Sequence, residues 1–301
     1  MDKDDDKKLK LAKEQFETIE SFESGQRTAM ADDKAFSLGE NNAQWEQNSL
    51  DARKSGGKPF LTIMRSNQFT DHVKNNNRQN KPSVKFSPGE NSNEEIATIR
   101  QGLVRSIAYQ SKAGQSRQQA FDDAVDEGRG HYIVETEYVP GTFKQRIVVN
   151  PIKDSRKVYM DVSRQLPDYS DCDHAFILID EDKEKLEEKH PDKSLSPWRG
   201  QRDNKKKKFS KTVELALWYV KEEYERELLE IKDGEETTII YKDNIQDDID
   251  IKSLDIKKRR KVMYPKWMRY KLSGDDVLSV DELPFKEIPI VTVIGKEKTV
   301  N

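Results

Sequence analysis

At 301 residues the chain can bury a sizeable core, as one large domain or two ordinary ones. Charged residues make up 36% of it, against a usual value of roughly 25%, so the core is lean and much of the chain must sit in water. The 53 basic and 56 acidic residues nearly cancel, excluding a global positive field that draws in nucleic acid, and Cys172, alone, excludes an internal disulfide framework or a cysteine-rich zinc site.

The charged start MDKDDDKKLK lacks the apolar centre of a signal peptide. No run approaches the ~18 apolar residues of a membrane helix, so the expectation is a soluble intracellular protein with no membrane partner. Leu9, Ala12, Phe16, Ile19 and Phe22 recur at three- and four-residue steps and predict a helix to about Ser24. A second helical stretch carries Ala35, Phe36 and Leu38 towards Trp45 and breaks at Ser55, Gly56 and Gly57. A third begins after Pro59 and holds Phe60, Ile63, Met64, Phe69 and Val73; Pro82, Pro88 and Gly89 then enforce a non-helical passage. The fourth helix has Ser92 or Asn93 as its cap, Glu94 and Glu95 in its first turn, and Ile96, Ile99, Leu103, Val104 and Ile107 as a stripe expected to pack on a sheet. A fifth, with Ala120, Phe121, Ala124 and Val125, ends at Gly128.

From Gly130 the apolar period becomes two. HYIVETEYV, KQRIVVNP, KVYMDVS, HAFILID, VELALWYV, TTIIYKD, RKVMYPKWMRYKLSG, VLSV and IPIVTVIG read as strands, with one short helix in DEDKEKLEEKHPDK. In VELALWYV, Val213, Leu215, Leu217 and Tyr219 alternate with Glu214, Ala216 and Trp218, which favours a strand over the helix that YVKEEYERELLE alone suggests. Ile288, Ile290, Val291, Val293 and Ile294 together predict a strand buried in a sheet. Helices followed by an antiparallel sheet make an α+β fold.

Enzyme signals are weak. Pro167-Asp168 and Glu181, Asp182, Lys183 flank the apolar run AFILI, spaced as in metal-dependent PD-(D/E)xK nucleases, which need carboxylates for the metal and a lysine near the attacking water. The competing reading is a turn after Pro167 and a solvated helix start at Glu181. His72, His131, His174 and His190 form no zinc-binding pair, and there is no P-loop, nucleophile elbow or dinucleotide fingerprint. The reading is therefore a chain with no catalytic residue, no metal and no cofactor. Two basic clusters remain as candidate DNA or subunit contacts: Lys205, Lys206, Lys207 and Lys208, in a loop, and Lys257, Lys258, Arg259, Arg260 and Lys261, with Tyr264, Trp267 and Tyr270 beyond. Strand alternation along RKVMYPKWMRY accounts for the second more simply.

Several stretches, read in order, resemble the portal proteins of short-tailed bacteriophages. DKAFSLGENNAQW is similar to a family pattern through Asp33, Phe36, Gly39, Gln44 and Trp45, with a small insertion before Gln44. Arg53, Pro59, Leu61, Thr62, Val73, Asn76, Arg78, Asn80 and Pro82 resemble the next segment, and Glu94–Gln110 stands where the family has an amphipathic helix. AFDDAVDEGRGHYIVETEY resembles the step from helices into the sheet. YMDVSRQLPDYSDCDHAFI places Asp168, Ser170, Asp171 and Asp173 in a structural turn rather than a metal site, and KRRKVMYPKWMRYKLSGDDVLSVDELPFKEIPIVTVIG resembles the closing hairpins.

The resemblance implies a dodecameric ring at one capsid vertex, the head-to-tail connector through which double-stranded DNA is packaged and ejected. It implies as partners other copies of the chain, the terminase large subunit, major capsid and scaffolding proteins, and tail or head-completion proteins, and as location the virion, after assembly in the host cytoplasm. It assigns residues 1–57 to a helical arm, 58–127 to the helical part of the wing and 128–301 to its β-rich part. In the family the strand resembling IPIVTVIG is followed by channel helices; here KEKTVN follows, so the expectation is an N-terminal wing portion, from a truncated, split or reduced portal.

Overall fold

The computed structural model describes residues 3–80, 84–89, 93–200, 211–233, 236–245 and 256–295. Helices come first and antiparallel strands after them, the α+β order the sequence predicts. The chain divides into two compact units, one holding Lys10–Cys172, Phe176–Leu178 and the stretch from Pro289, the other holding Met1–Leu9, Asp173–Ala175 and Ile179–Ile288.

The first unit is built on α1 (Lys3–Leu38), a single helix where two helical stretches were expected. Gly25 costs such a helix only ~1 kcal/mol relative to alanine, and the buried line runs straight past it from Ile19 through Glu23 to Met30. Phe22 was expected on that line but is 73% exposed, because Glu23 occupies the inward place four residues after Ile19. Phe16 packs on Tyr159 and Phe176, at ring centroid distances of 4.6 and 5.4 Å.

After α2 (Gln47–Ser55), anchored by buried Leu50, residues 58–65 are non-helical, and α3 (Ser66–Gln79) starts later than Pro59 led us to expect. The Asn93 side chain accepts from Ile96 N at 2.9 Å and caps α4 (Glu94–Gln110), as predicted; the alternative cap Ser92, like Pro82, lies outside the described residues. The helix α4 meets the sheet through β2, as expected, but its apolar stripe is only partly used, with Val104 and Ile107 half-buried. Only Ala97 is buried; the helix meets α5 and β2, and Ile96, Ile99 and Leu103 remain exposed.

The helix α5 (Ala113–Glu127) buries Ala113, Ala120 and Ala124 and stops at Gly128, whose φ of 90° is the left-handed geometry that glycine adopts without strain. It packs on a sheet of order β2-β1-β9: β1 (Arg129–Tyr138) lies between β2 (Gln145–Pro151) and β9 (Ile290–Ile294), antiparallel to both. The approach is close enough that a Cβ on Gly130 would lie 1.7 Å from the Ala120 carbonyl oxygen. Ser116 Oγ donates to the Val149 carbonyl at 2.9 Å across the same contact. β9 is a sheet strand as predicted, but an edge one: Ile288 and Ile290 are buried, whereas Val291, Val293 and Ile294 are only half-buried. The short β3 (Val158–Met160) is wholly buried.

The second unit is a sheet ordered β4 (His174–Asp182), β5 (Thr212–Asp233), β7 (Ile256–Leu272), β8 (Val277–Leu283), with β6 (Glu236–Tyr241) also on β5; α6 (Lys183–Lys189) is the predicted short helix. Of β4, His174 and Ala175 and the part from Ile179 on belong here. YVKEEYERELLE is strand, as the alternation argued. Burial along β5 is nonetheless two-faced: Leu215, Ala216, Trp218 and Tyr219 are all inside, and Leu217 is the partly exposed one. Near the start of β5, Leu186 and Leu278 pack with Val213 and Leu215, and Trp218 lies beside Tyr270 across the β5–β7 ladder at 5.1 Å.

Candidate functional site

The cluster Lys257–Lys261 lies at the start of β7, paired antiparallel with β5 in a register that puts Lys258 opposite Glu230 and Lys261 opposite Glu227. A strand's cations thus face its neighbour's carboxylates. Lys261 Nζ reaches Glu225 at 2.7 Å, Lys258 reaches Glu230 at 3.3 Å and Arg259 reaches Glu227 at 3.9 Å. The hydrogen bond that Lys261 Nζ donates to the Glu225 carboxylate holds the ammonium above its ordinary pKa. These pairs are exposed and screened by solvent, so each contributes little to stability; their larger effect is to cancel the local field. β8 pairs with β7 only from Trp267 onward, so among the described strands Ile256–Lys266 is an edge. Lysines, arginines and Pro265 there discourage pairing with a foreign strand. The other cluster, Lys205–Lys208, lies outside the described residues.

The aromatics near that cluster also have partners within the fold. Arg226 lies 4.1 Å from the Tyr241 ring and 5.1 Å from the Tyr264 ring and binds Asp243 at 2.9 Å. Trp267 is buried, its Nε1 donating to the Lys286 carbonyl at 3.2 Å. These aromatics form no open platform on which bases could stack.

The nuclease candidates each serve local structure. Asp168 accepts from the backbone N and Oγ of Ser170, closing its own turn. Glu181 accepts from Lys271 Nζ through both oxygens, at 2.7 Å each, and Asp182 caps α6 through Glu184 N at 3.0 Å. Lys183 pairs with Glu187 at 3.4 Å. Among the described residues no group of three or more His, Cys, Asp or Glu side chains is placed to hold a metal ion.

Sequence reasoning missed a buried charge centre in the first unit. Glu23 on α1 accepts from Arg27 at 2.6 Å and from Arg129 at 2.8 Å. Arg27 also donates to the Arg156 and Val158 carbonyls and lies 3.4 Å from the Tyr159 ring. His131, buried beside them, is pulled down to about 3 by burial first and then by Arg129, Arg27 and Arg164; it remains neutral, its Nδ1 3.0 Å from Thr292 Oγ1. Burial pushes the Cys172 thiol up to about 12. A neutral buried imidazole and a protonated buried thiol make a poor base and a poor nucleophile, so this centre is a tie among α1, β1 and β3. The Arg27–Glu23 spacing of four residues is legible in the sequence, whereas Arg129, 106 residues away, is not.

Comparison with known proteins agrees with the resemblance. A protein from Acyrthosiphon pisum secondary endosymbiont phage 1, named a portal protein, is 33% identical over 114 residues, a match covering 36% of this chain and 16% of that protein. The model of the phage P22-like portal protein family matches residues 13–301, from within α1 to the end of the chain, so the chain belongs to the phage P22-like portal protein family.

Proposed function

We propose that the chain is a building block of the ring at one capsid vertex through which double-stranded DNA is packaged and later ejected, with its two units forming the outer wing. Membership of the portal family across residues 13–301 carries the reading. In this role it meets its own copies in a dodecamer, the terminase large subunit, major capsid and scaffolding proteins, and tail or head-completion proteins. It resides in the virion after assembly in the host cytoplasm. The work is structural and needs no catalytic side chain. It needs a rigid annulus that does not grip a moving duplex, since every strong phosphate contact would have to be broken as DNA advances. The pairing of Lys258, Arg259 and Lys261 with β5 carboxylates supports that reading, leaving the cluster to brace the hairpin or to meet a neighbouring subunit. Duplex binding measured by fluorescence anisotropy against salt tests it. The expected result is weak binding, unchanged when residues 257–261 are neutralised. Tight, steeply salt-dependent binding lost on that neutralisation would make the chain a DNA-binding module instead.

A further inference from the structure

Two helices of the first unit are turned inside out. α3 buries none of its residues and is held to α5 by polar links, Lys74–Asp126 and Arg78–Asp122 at 2.7 Å and Asn77–Gln118 at 3.4 Å. Its apolar side chains face water instead, Phe69 75% exposed and Val73 about half. α4 behaves alike, with Ile99 69% and Leu103 59% exposed and Ile96 beside them, and Leu61, in the segment leading into α3, is 75% exposed. An amphipathic helix at a protein surface favours the opposite arrangement, with the apolar stripe inward and the charged residues outward. Each of the two stretches holds three such side chains, ~150–200 Å² apiece and open by about two-fifths to three-quarters, and so exposes roughly 300 Å² of apolar surface, a substantial part of the ~800 Å² that each partner contributes to a standard interface.

A second outward line lies on α1. Leu11, Phe22 and Phe36 are spaced by about three and then four turns, so they share one side of the helix, and all three are exposed. A closed ring needs a heterologous contact in which one surface of a subunit meets a different surface of the next. One unit carrying two separate apolar surfaces of complementary kind meets that need.

We propose that the exposed apolar face of α3 and α4 docks on a second copy of this chain, against the outward Leu11–Phe22–Phe36 line of the neighbour's α1. The proposal rests on the ring reading and adds the place where subunits meet. Arg100 and Arg105 on α4 and Glu14 and Glu17 on α1, all exposed, supply opposite charges for the rim of such a contact.

Sedimentation velocity on the wild-type chain and on Ile99→Arg/Leu103→Arg tests it, with circular dichroism melts as the control for folding. Both positions are exposed, so the double variant should melt as the wild type does. The expected result is a wild type that self-associates and a variant whose association is weakened by at least about tenfold, since each arginine would be buried without a partner. A variant that assembles as well as the wild type overturns the interface and leaves the ring standing; a wild type that stays monomeric at high concentration overturns both. As a second arm, Phe22→Cys and Leu103→Cys chains are mixed with a short bismaleimide. Cross-linked dimers in the mixture and not in either variant alone support the head-to-tail contact, and dimers from Leu103→Cys alone overturn it.

Discussion

Replacing Glu23 with alanine removes the one carboxylate that binds both Arg27, at 2.6 Å, and Arg129, at 2.8 Å. Arg129 is buried and would be left as a desolvated cation without a carboxylate from Glu23, keeping the Tyr169 side chain and the Met30 sulfur, 4.0 Å away, as neutral partners. Arg27 retains its two carbonyl contacts and its tyrosine face, so the larger part of the loss falls on Arg129. Breaking a buried ion pair from one side costs about 3–5 kcal/mol, and at about 2–4 °C per kcal/mol for a domain of this size the melting point should fall by roughly 6–20 °C. Urea titration of wild type, Glu23→Gln and Glu23→Ala at one pH measures it. Glutamine, which retains an acceptor, should lie between the other two. A loss below about 1 kcal/mol for Glu23→Ala, the size of an exposed pair, would refute the claim that this centre ties the first unit together.

Three further outcomes are expected. Gly130→Ala places a Cβ where the Ala120 carbonyl oxygen already sits, so it should cost at least about 3 kcal/mol, the upper end of overpacking, seen as lost soluble yield or a collapsed melting point. Burial, and then the charge of Glu127, raise Asp123 to about 6 in the folded chain, so the folded state holds more protons than the unfolded between about pH 4 and 6. Stability from this group is present below that window and lost as pH rises through it; in urea midpoints the advantage of wild type over Asp123→Asn should therefore shrink from pH 4 to 6 and stay flat above. Replacing Lys258 and Lys261 together by glutamine should leave the urea midpoint essentially unchanged, because both side chains are largely exposed in their ion pairs and solvent screens them.

The legible parts were those governed by near neighbours in the chain. The Asn93 cap, the Gly128 stop and the strand at VELALWYV each depend on a few adjacent residues, and each is found as expected, although β5 buries both of its faces there. The length of α1 was not legible because Glu23 is held inward by Arg129, which arrives from 106 residues away. The stripe of α4 was seen correctly, but Ile96, Ile99 and Leu103 of it are left uncovered. Periodicity identifies an apolar face but does not say whether the same chain covers it, and here α5 holds α3 through charges while α4 approaches over Ala97. The reading of Lys257–Lys261 likewise turned on a register that sequence does not supply, the one that sets Glu227 and Glu230 across the ladder.

The central claim, that this portal-family chain works by assembling with copies of itself, is tested most directly by the mass of the purified particle in native mass spectrometry. The account predicts one discrete species at a fixed multiple of 35.0 kDa, unaffected by added duplex DNA. A population at 35.0 kDa alone across the whole concentration range, or particles that form only when DNA is present, would contradict it.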